Sequence, residues 1–333
     1  MQTKWKTFAA AAALCALLAG CSRSTGELDL PAATAAPSAT QSAGANASLL
    51  PEKLVLVGGV PTLRVYVAQS QSYQEMDIER YVEGVLAGEM RNDWPMEALK
   101  AQAILARTFT LKFVSEKESK YPDADISTDI SEAQAYNESA VNDRIRRAVE
   151  ETRGMVIAGE GELPYAWFHA HSGGKTELAK VGLEWADDEP AYTQITEGME
   201  SDKAPTTVKH WTARFSTREV GEACAKTGVE TGAVESISIG EKGESGRAVT
   251  LLVNGMAVSA PSLRLQLDST RFKSTMLSEV LVEDGEVIFR GSGYGHGVGM
   301  SQWGAYAMAE QGSTAEEIVS HYFQNVELVS LWE

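Results

Sequence analysis

Glu89 is a carboxylate in an unusual sequence setting. Apolar and aromatic residues precede it at the spacing of one helix face, and Glu89 takes the next position on that face. The face consists of Ile78, Tyr81, Val82, Val85 and Leu86. Because burial of a charge is costly, a carboxylate here should have a raised pKa, which suits a general acid at neutral pH. The alternative is a glutamate at the frayed end of a helix that points into water, and the pattern alone leaves both open.

Two predicted helices surround this glutamate. Asp77 is a capping residue type at the start of the first helix, and Pro95 is favoured in the first turn of the second. Lys100 and Arg107 are seven residues apart on the second helix, so they share a face. The two cations could bind an anionic group of a substrate or pair with acids nearby.

A second polar group follows the predicted strand at residues 165–168. His169 and His171 would project from the same face of a strand, as two metal ligands could. No third ligand is evident nearby, so a polar substrate cleft is favoured over zinc and no cofactor is expected. Ser172 beside a histidine raises a hydrolase triad as an alternative, although no nucleophile elbow surrounds it. Gly173 and Gly174 continue the run.

Alternate glycines dominate residues 291–299 and permit tight turns and close backbone approach. Tyr294 and His296 lie among them, where their side chains would be presented to a ligand. A helix is predicted to follow from about Ser301, with Gln302 next to it, to Gln311. A phosphate-binding loop is disfavoured, because the P-loop lysine–hydroxyl pair and a Rossmann pattern are both missing.

The order of these elements predicts an α+β fold. Helices come first and last, and the strands lie mainly between them, which favours this class over a doubly wound sheet. The expected architecture is a helical pair carrying Glu89 packed on a mainly antiparallel or mixed β core. The predicted strands lie at residues 155–157, 165–168, 249–253 and 286–289.

The first 50 residues predict export and anchoring. Lys4 and Lys6 precede an apolar run at residues 8–19 that is too short to span a bilayer, as in a secretory signal. Small residues directly before Cys21 resemble the lipobox of bacterial lipoproteins, in which the cysteine is lipidated. We therefore expect a signal peptide at 1–20, a lipidated Cys21 with a flexible linker at 21–50, and a catalytic domain at 51–333. The protein would be an extracytoplasmic, membrane-anchored lipoprotein facing the cell wall.

Charge and cysteine content exclude some classes of function. The formal net charge of −17 argues against nucleic acid as a partner. Of three cysteines, Cys15 lies in the apolar run and Cys21 is the lipidation site, so Cys224 has no partner for a disulfide. Cys224 is expected to be a small buried residue.

The chain resembles the SpoIID/LytB domain family in several segments. These segments follow one another in the family's order and span nearly the whole predicted domain. The segments that carry the resemblance are residues 81–90, 97–108, 134–136, 168–177 and 293–305. The resemblance implies a lytic transglycosylase that cleaves peptidoglycan glycan strands, preferably strands stripped of stem peptides by a partner amidase, in sporulation and engulfment. It places the catalytic glutamate at Glu89. Zinc-binding cysteines found in some relatives are replaced here by Ala170 and Ser172, which lowers the expectation of zinc further.

This implied reaction assigns roles to the polar residues above. Candidates for hydrogen bonds to the sugars are His169, Ser172, Gly173, Gly174, Tyr294, His296, Ser301 and Gln302. Candidates for binding a muramic carboxylate are Lys100, Arg107 and Lys175. Two alternatives remain open: a non-catalytic wall-binding protein that stimulates an amidase, and a metal-dependent hydrolase using His169, His171 and His296.

Overall fold

A computed structural model describes residues 47–333. The predicted signal peptide, Cys15 and the predicted lipidation site Cys21 lie outside the described residues. In the part that is described, no helix combines the length and apolarity needed to cross a bilayer.

The first described elements form a small sheet that leads into two helices. After a 3₁₀ turn at Ala47–Leu49, they are β1 (Val55–Val57), β2 (Val60–Val67), β3 (Ser72–Asp77), α1 (Ile78–Glu89), α2 (Met96–Glu116) and β4 (Ile126–Ser127). Strands β1, β2 and β3 are antiparallel neighbours, and β4 pairs with β2 in parallel.

Helix α1 begins and ends as its sequence predicts. The Asp77 side chain accepts a hydrogen bond from the backbone N–H of Arg80 at 2.8 Å, which caps the first turn. The predicted face is buried in full, and the helix ends at Glu89 because the backbone of Met90 is extended. The last helical residue is therefore the candidate acid.

Helix α2 is the central helix of the larger core. Pro95 precedes its first residue, as predicted, and most of its 21 residues are buried. It contacts α1 on one side and later helices and strands on others. A helix buried on several sides has little surface left for solvent-facing cations, and this changes the environment of Arg107.

Shorter elements make up the rest of the described chain. They are a 3₁₀ turn (Glu138–Ala140), α3 (Asp143–Glu150), β5 (Met155–Ala158), β6 (Phe168–His169), α4 (Ala179–Gly182), α5 (Thr206–Lys209), β7 (Trp211–Ser216), α6 (Thr217–Lys226), β8 (Ile237–Ile239), β9 (Thr250–Val253), β10 (Met256–Ser259), α7 (Ala260–Gln266), β11 (Leu277–Glu283), β12 (Glu286–Gly291), β13 (Met300–Ser301), α8 (Gln302–Glu310), α9 (Ala315–Tyr322) and β14 (Glu327–Ser330). Two antiparallel sheets, β11–β12–β7 and β10–β9–β8, fill the middle of the chain. Helices and mainly antiparallel sheets confirm the α+β class.

Two hydrophobic cores lie within the described residues. The larger joins α1 and α2 to the C-terminal elements α8, α9 and β14, and the smaller is built from residues 211–289. Cys224 is fully buried in the smaller core, as expected. The C-terminal strand returns to the first half because β14 pairs with β5, and the parallel pair β6–β13 joins the histidine run to the glycine-rich block.

One predicted strand is much shorter in the structure, whereas the last predicted helix is found where expected. The strand expected at 165–168 is reduced to β6, because residues 164–167 lack regular strand pairing. The last predicted helix is confirmed almost to the residue: Ser301 caps α8 by accepting from the Gly304 N–H at 3.3 Å.

Candidate functional site

Glu89 lies partly buried at the C-terminal end of α1. Its Oε1 accepts a hydrogen bond from the Ala135 N–H at 2.7 Å. Burial raises the pKa of the carboxyl to about 7, although the bonds from Ala135 and Gln302 favour the charged form. No charged neighbour contributes to this shift, so desolvation alone sets the acid near neutrality.

Two glycines of α1 allow a loop to lie against the helix beside Glu89. A Cβ on Gly88 would come within 2.7 Å of the Ala135 carbonyl carbon, and one on Gly84 would come within 2.2 Å of the Tyr136 ring. The Asn137 N–H also donates to the Gly84 carbonyl at 2.8 Å. The segment 134–136 and the end of α1, which are distant in sequence, therefore form one surface around the carboxylate.

Gln302 approaches Glu89 from the glycine-rich block. Its Nε2 lies 3.4 Å from the Glu89 carbonyl oxygen and 3.4 Å from Oε1 of the buried Gln102. Its position at the start of α8 follows from the parallel pairing of β13 with β6. Tyr306 follows one turn later on α8 and is half-buried beside Trp303, with ring centroids 5.3 Å apart.

The three histidines of the predicted cleft occupy a second polar cluster. His169 and His171 are buried, and His296 is half-buried with its ring centroid 5.8 Å from that of His169. Burial, followed by nearby positive charges, lowers the pKa of His171 to about 4 and of His296 to about 3, and the pKa of His169 is also well below its usual value. All three imidazoles are therefore neutral at pH 7.

Each histidine is oriented by a backbone group. His169 Nδ1 lies 3.1 Å from the Val298 carbonyl, which assigns the proton to that nitrogen. His171 Nδ1 accepts from the Gly173 N–H and His296 Nδ1 from the Val298 N–H, both at 3.0 Å. These bonds fix the rings within the cluster. Among residues 47–333, no group of three or more histidine, cysteine or acidic side chains is placed to hold a metal ion.

Glu200 is a member of this cluster that the sequence patterns did not single out. Its Oε1 accepts from the Ser172 N–H at 2.6 Å and from the Ser301 hydroxyl at 2.8 Å, and its Oε2 lies 3.6 Å from His171 Nε2. Burial raises its pKa to about 7. Glu200 thus ties the histidine run to the residue that caps α8, one position before Gln302.

Glycine residues bring the histidine run and the glycine-rich block into contact. Tyr294 forms a backbone bridge with His171, and a Cβ on Gly295 would come within 2.7 Å of the His169 Cβ. A Cβ on Gly173, at φ 78, would come within 2.9 Å of the Ser292 hydroxyl, whereas Gly174, at φ 128, faces open space. The segments that contain the predicted residues Ser172, Gly173, Tyr294, His296 and Ser301 are therefore neighbours in the fold; their role in binding a sugar stays a prediction.

Two predicted substrate contacts need correction. Arg107 is fully buried and its Nη2 pairs with Glu79 at 2.5 Å, while Nη1 donates to the Met155 carbonyl. The Lys100 ammonium contacts both Glu97 at 2.8 Å and Glu151 at 2.5 Å. Both cations therefore form ion pairs with acidic residues of this chain, which was the second interpretation that their spacing allowed. Lys175 is about half exposed and lies 3.5 Å from Glu197.

Two family models and several known proteins match this chain in sequence. A family model described as "Stage II sporulation protein" matches residues 66–158, which include Glu89 and the segment 134–136, and a domain of unknown function matches residues 164–299. An uncharacterized protein of Brachyspira hyodysenteriae is 33% identical over 77% of this chain and 67% of its own length. The amidase enhancer of Bacillus subtilis is 25% identical over 75% of this chain, but over only 40% of its own length.

One further relative matches most of this chain and most of its own length. The stage II sporulation protein D of Bacillus amyloliquefaciens is 31% identical over 81% of this chain and 81% of its own length. Identity above 30% over four fifths of both proteins, together with the family model at residues 66–158, shows that the chain belongs to the stage II sporulation protein D family.

Proposed function

We propose that this protein is a peptidoglycan lytic transglycosylase with Glu89 as its single acid and base. The observation that carries the proposal is a carboxyl at a helix end whose pKa is raised to about 7 by burial, with no second carboxylate of residues 47–333 contributing to that shift. Hydrolytic glycosidases usually place two carboxylates across the scissile bond. A lone group that is about half protonated at neutral pH suits a reaction in which one residue gives and then accepts a proton.

Glu89 alone can perform both proton transfers of such a reaction. Protonated Glu89 donates to the glycosidic oxygen as the bond from muramic acid C1 breaks, and the bonding electron pair leaves with the glucosamine oxygen. The resulting carboxylate accepts the proton of the muramic acid C6 hydroxyl, whose oxygen attacks C1 to give a 1,6-anhydro end. Glu89 is protonated again at the end, so the cycle needs no water and no metal.

Groups next to Glu89 would orient its carboxyl and a bound sugar. The Ala135 N–H holds one carboxyl oxygen, and Gln302, beside the end of α1, is the sequence-predicted sugar-binding residue nearest to the acid. Tyr306 offers a half-buried aromatic ring on the same side of α8 as Gln302, where a sugar ring could stack. His296 is the half-buried histidine of the second cluster and could extend the cleft.

The cellular setting is part of the same proposal. A lipid at Cys21 and a linker to residue 50 would hold the Glu89 cleft close to the membrane-proximal wall. The linker would reach roughly 30 Å as a random coil. Glycan strands stripped by a partner amidase would be the substrate, in the sporulation process that the relatives' name indicates.

The test uses purified protein and peptide-free glycan strands. Mass spectrometry should find anhydro-muramic ends that are lost in Glu89→Gln and kept in Glu83→Gln, a matched change on the same helix. Ordinary reducing ends would instead show hydrolysis, and chelator-sensitive cleavage would show a metal-dependent reaction. Either result would contradict the proposed mechanism.

The amidase-enhancer relative supports a second candidate, a wall-binding protein that stimulates an amidase without cutting glycan. The same assay separates the two. A folded wild-type protein that binds strands, releases no anhydro ends and accelerates a purified amidase would establish the second function, and Glu89→Gln would then leave that acceleration unchanged.

A further inference from the structure

Two arginines are buried close together behind the glycine-rich block. Arg247, between β8 and β9, has no exposed surface, and Arg264, on α7, is 5% exposed. Burial lowers the pKa of each to about 10, and the charge of Arg247 also lowers that of Arg264. Both guanidinium groups lie against the glycine-rich block: a Cβ on Gly297 would come within 2.4 Å of Arg247 Nε, and the Lys273 carbonyl that accepts from Arg264 Nε also accepts from the Gly295 N–H at 2.9 Å.

Neither guanidinium has its donors satisfied. Arg247 Nη2 donates to the Ser172 carbonyl, but its Nε and Nη1 are buried without a hydrogen-bond partner. Arg264 Nε donates to the Lys273 carbonyl at 2.9 Å, and its buried Nη2 has no partner. Three buried guanidinium nitrogens are thus unpaired, whereas buried polar groups in folded proteins are almost always hydrogen-bonded.

The positive charge is also poorly compensated. Within residues 47–333, no carboxylate lies at salt-bridge distance from either group; Glu177 and Glu200 attract Arg247 from farther away. Water could satisfy the free N–H groups, but it would not neutralise two buried charges, and an unpaired buried charge costs several kcal/mol. The neighbouring His169 and His296 are neutral and add no further positive charge.

The backbone makes room for this arrangement. A Cβ on Gly297, at φ 88, would come within 2.4 Å of Arg247 Nε, so only glycine lets the guanidinium lie against the loop. His296, one residue earlier, is half-buried, and burial, followed by the charges of Arg264 and Arg247, lowers its pKa.

We propose that Arg247 and Arg264 form a binding site for a small oxyanion, a carboxylate or a phosphate. A guanidinium fork matches two oxygens of either group and would pair the free donors and the charge at once. The same positive field opposes a metal cation in the histidine cluster. The site is separate from the proposed chemistry at Glu89, and it stands on its own contacts.

The oxyanion could come from two sources. One is a free ion of the medium. The other, which rests on the proposed function, is the lactyl carboxylate of a muramic acid residue. That carboxylate is free only after an amidase has removed the stem peptide, so a site for it would select stripped strands.

Titration of the full-length protein with inorganic phosphate and with acetate, at constant ionic strength, tests the site. Wild-type protein should bind at least one of them and show a rise in melting temperature. Folded Arg247→Met and Arg264→Met should bind at least tenfold more weakly, and Arg218→Met, at an arginine 84% exposed on α6, should bind normally. Absence of binding by wild-type protein, or unchanged binding by both folded variants, would overturn the proposal.

The source of the oxyanion is identified with the Glu89→Gln protein, which should not cleave strands. The result then does not depend on whether the wild-type protein is a catalyst. Peptide-free strands are compared with the same strands after conversion of the lactyl carboxylates to methylamides. A tenfold loss of affinity on amidation, with competition by phosphate, identifies the lactyl carboxylate. Equal strand binding with intact phosphate binding identifies a free anion.

Discussion

Glu89 should make the stability of the protein depend on pH with a definite sign. Its pKa is raised from 4.5 in the unfolded chain to about 7 by burial, so the folded state binds more protons between these values. Stability from the protonated form is complete below pH 4.5 and is lost as pH rises through 7. Glu89→Gln should therefore be more stable than wild type at pH 8, by up to about 3 kcal/mol, and similar at pH 4.

Urea unfolding of both proteins at pH 4, 6 and 8 measures this difference. Glu316→Gln, at an exposed glutamate of α9, is the control for loss of one acid on the surface. Parallel stability curves for Glu89→Gln and wild type would show that the Glu89 carboxyl is not desolvated in the folded protein, and would remove the main support for its role as a general acid.

Site residues that lie on a periodic pattern could be predicted from the sequence. Site residues that the fold brings together from distant segments could not. Glu89 followed from its place on the apolar face of α1, and Asp77 from its capping position. Glu200 lies in no periodic segment, and its importance comes from Ser172 and Ser301, which are 28 and 101 residues away. No local spacing rule could identify it as part of the site.

At the scale of elements, Gly88 controls how α1 meets the segment 134–136. Alanine usually stabilises a helix by about 1 kcal/mol relative to glycine. Here the new Cβ would lie 2.7 Å from the backbone of Ala135 and Tyr136, which cannot yield as a flexible side chain could. Gly88→Ala should therefore destabilise the protein by about 1–3 kcal/mol, the usual cost of overpacking, and displace the Ala135 N–H from Glu89.

Thermal unfolding and the strand-cleavage assay together check this prediction. Glu83→Ala, on the same helix, adds no atom against that loop and should retain cleavage. A Gly88→Ala protein that is more stable than wild type and equally active would mean that the loop is not seated against the helix as the structure shows.

The elements also explain the error at Arg107. A seven-residue spacing puts Lys100 and Arg107 on one face of α2, but it does not tell whether that face meets water or another element. Helix α2 is packed by α1, α3, β5, α8 and α9, so Arg107 is enclosed while Lys100 keeps a side-chain exposure of 19%. The difference in exposure between Lys100 and Arg107 comes from tertiary packing, which the sequence pattern of one helix does not reveal.

At the scale of the whole molecule, Glu79 connects parts of the chain that are far apart in sequence. Its carboxylate pairs with Arg107 of α2 through Nε and Nη2. It also accepts from the Gly154 N–H at 3.0 Å and from the Trp332 indole N–H at 2.8 Å, 253 residues along the chain. One buried acid in the first turn of α1 thus joins the central helix, the residue before β5 and the C-terminal segment.

Removing this charge should cost far more than removing an exposed acid that pairs with a residue of the same helix. Glu79→Gln leaves the fully buried Arg107 without its counter-ion, a change that typically costs about 3–5 kcal/mol. Glu138→Gln breaks the exposed Arg80–Glu138 pair, whose side chains are 53% and 55% accessible, and should cost less than about 1 kcal/mol. Because the penalty in Glu79→Gln comes from an unpaired charge, adding Arg107→Met should recover part of the lost stability. Urea denaturation of the four proteins, wild type included, measures the free energy of unfolding of each. Equal costs for the two single changes, or no recovery in the double variant, would show that the buried pair does not stabilise the fold more than an exposed pair does.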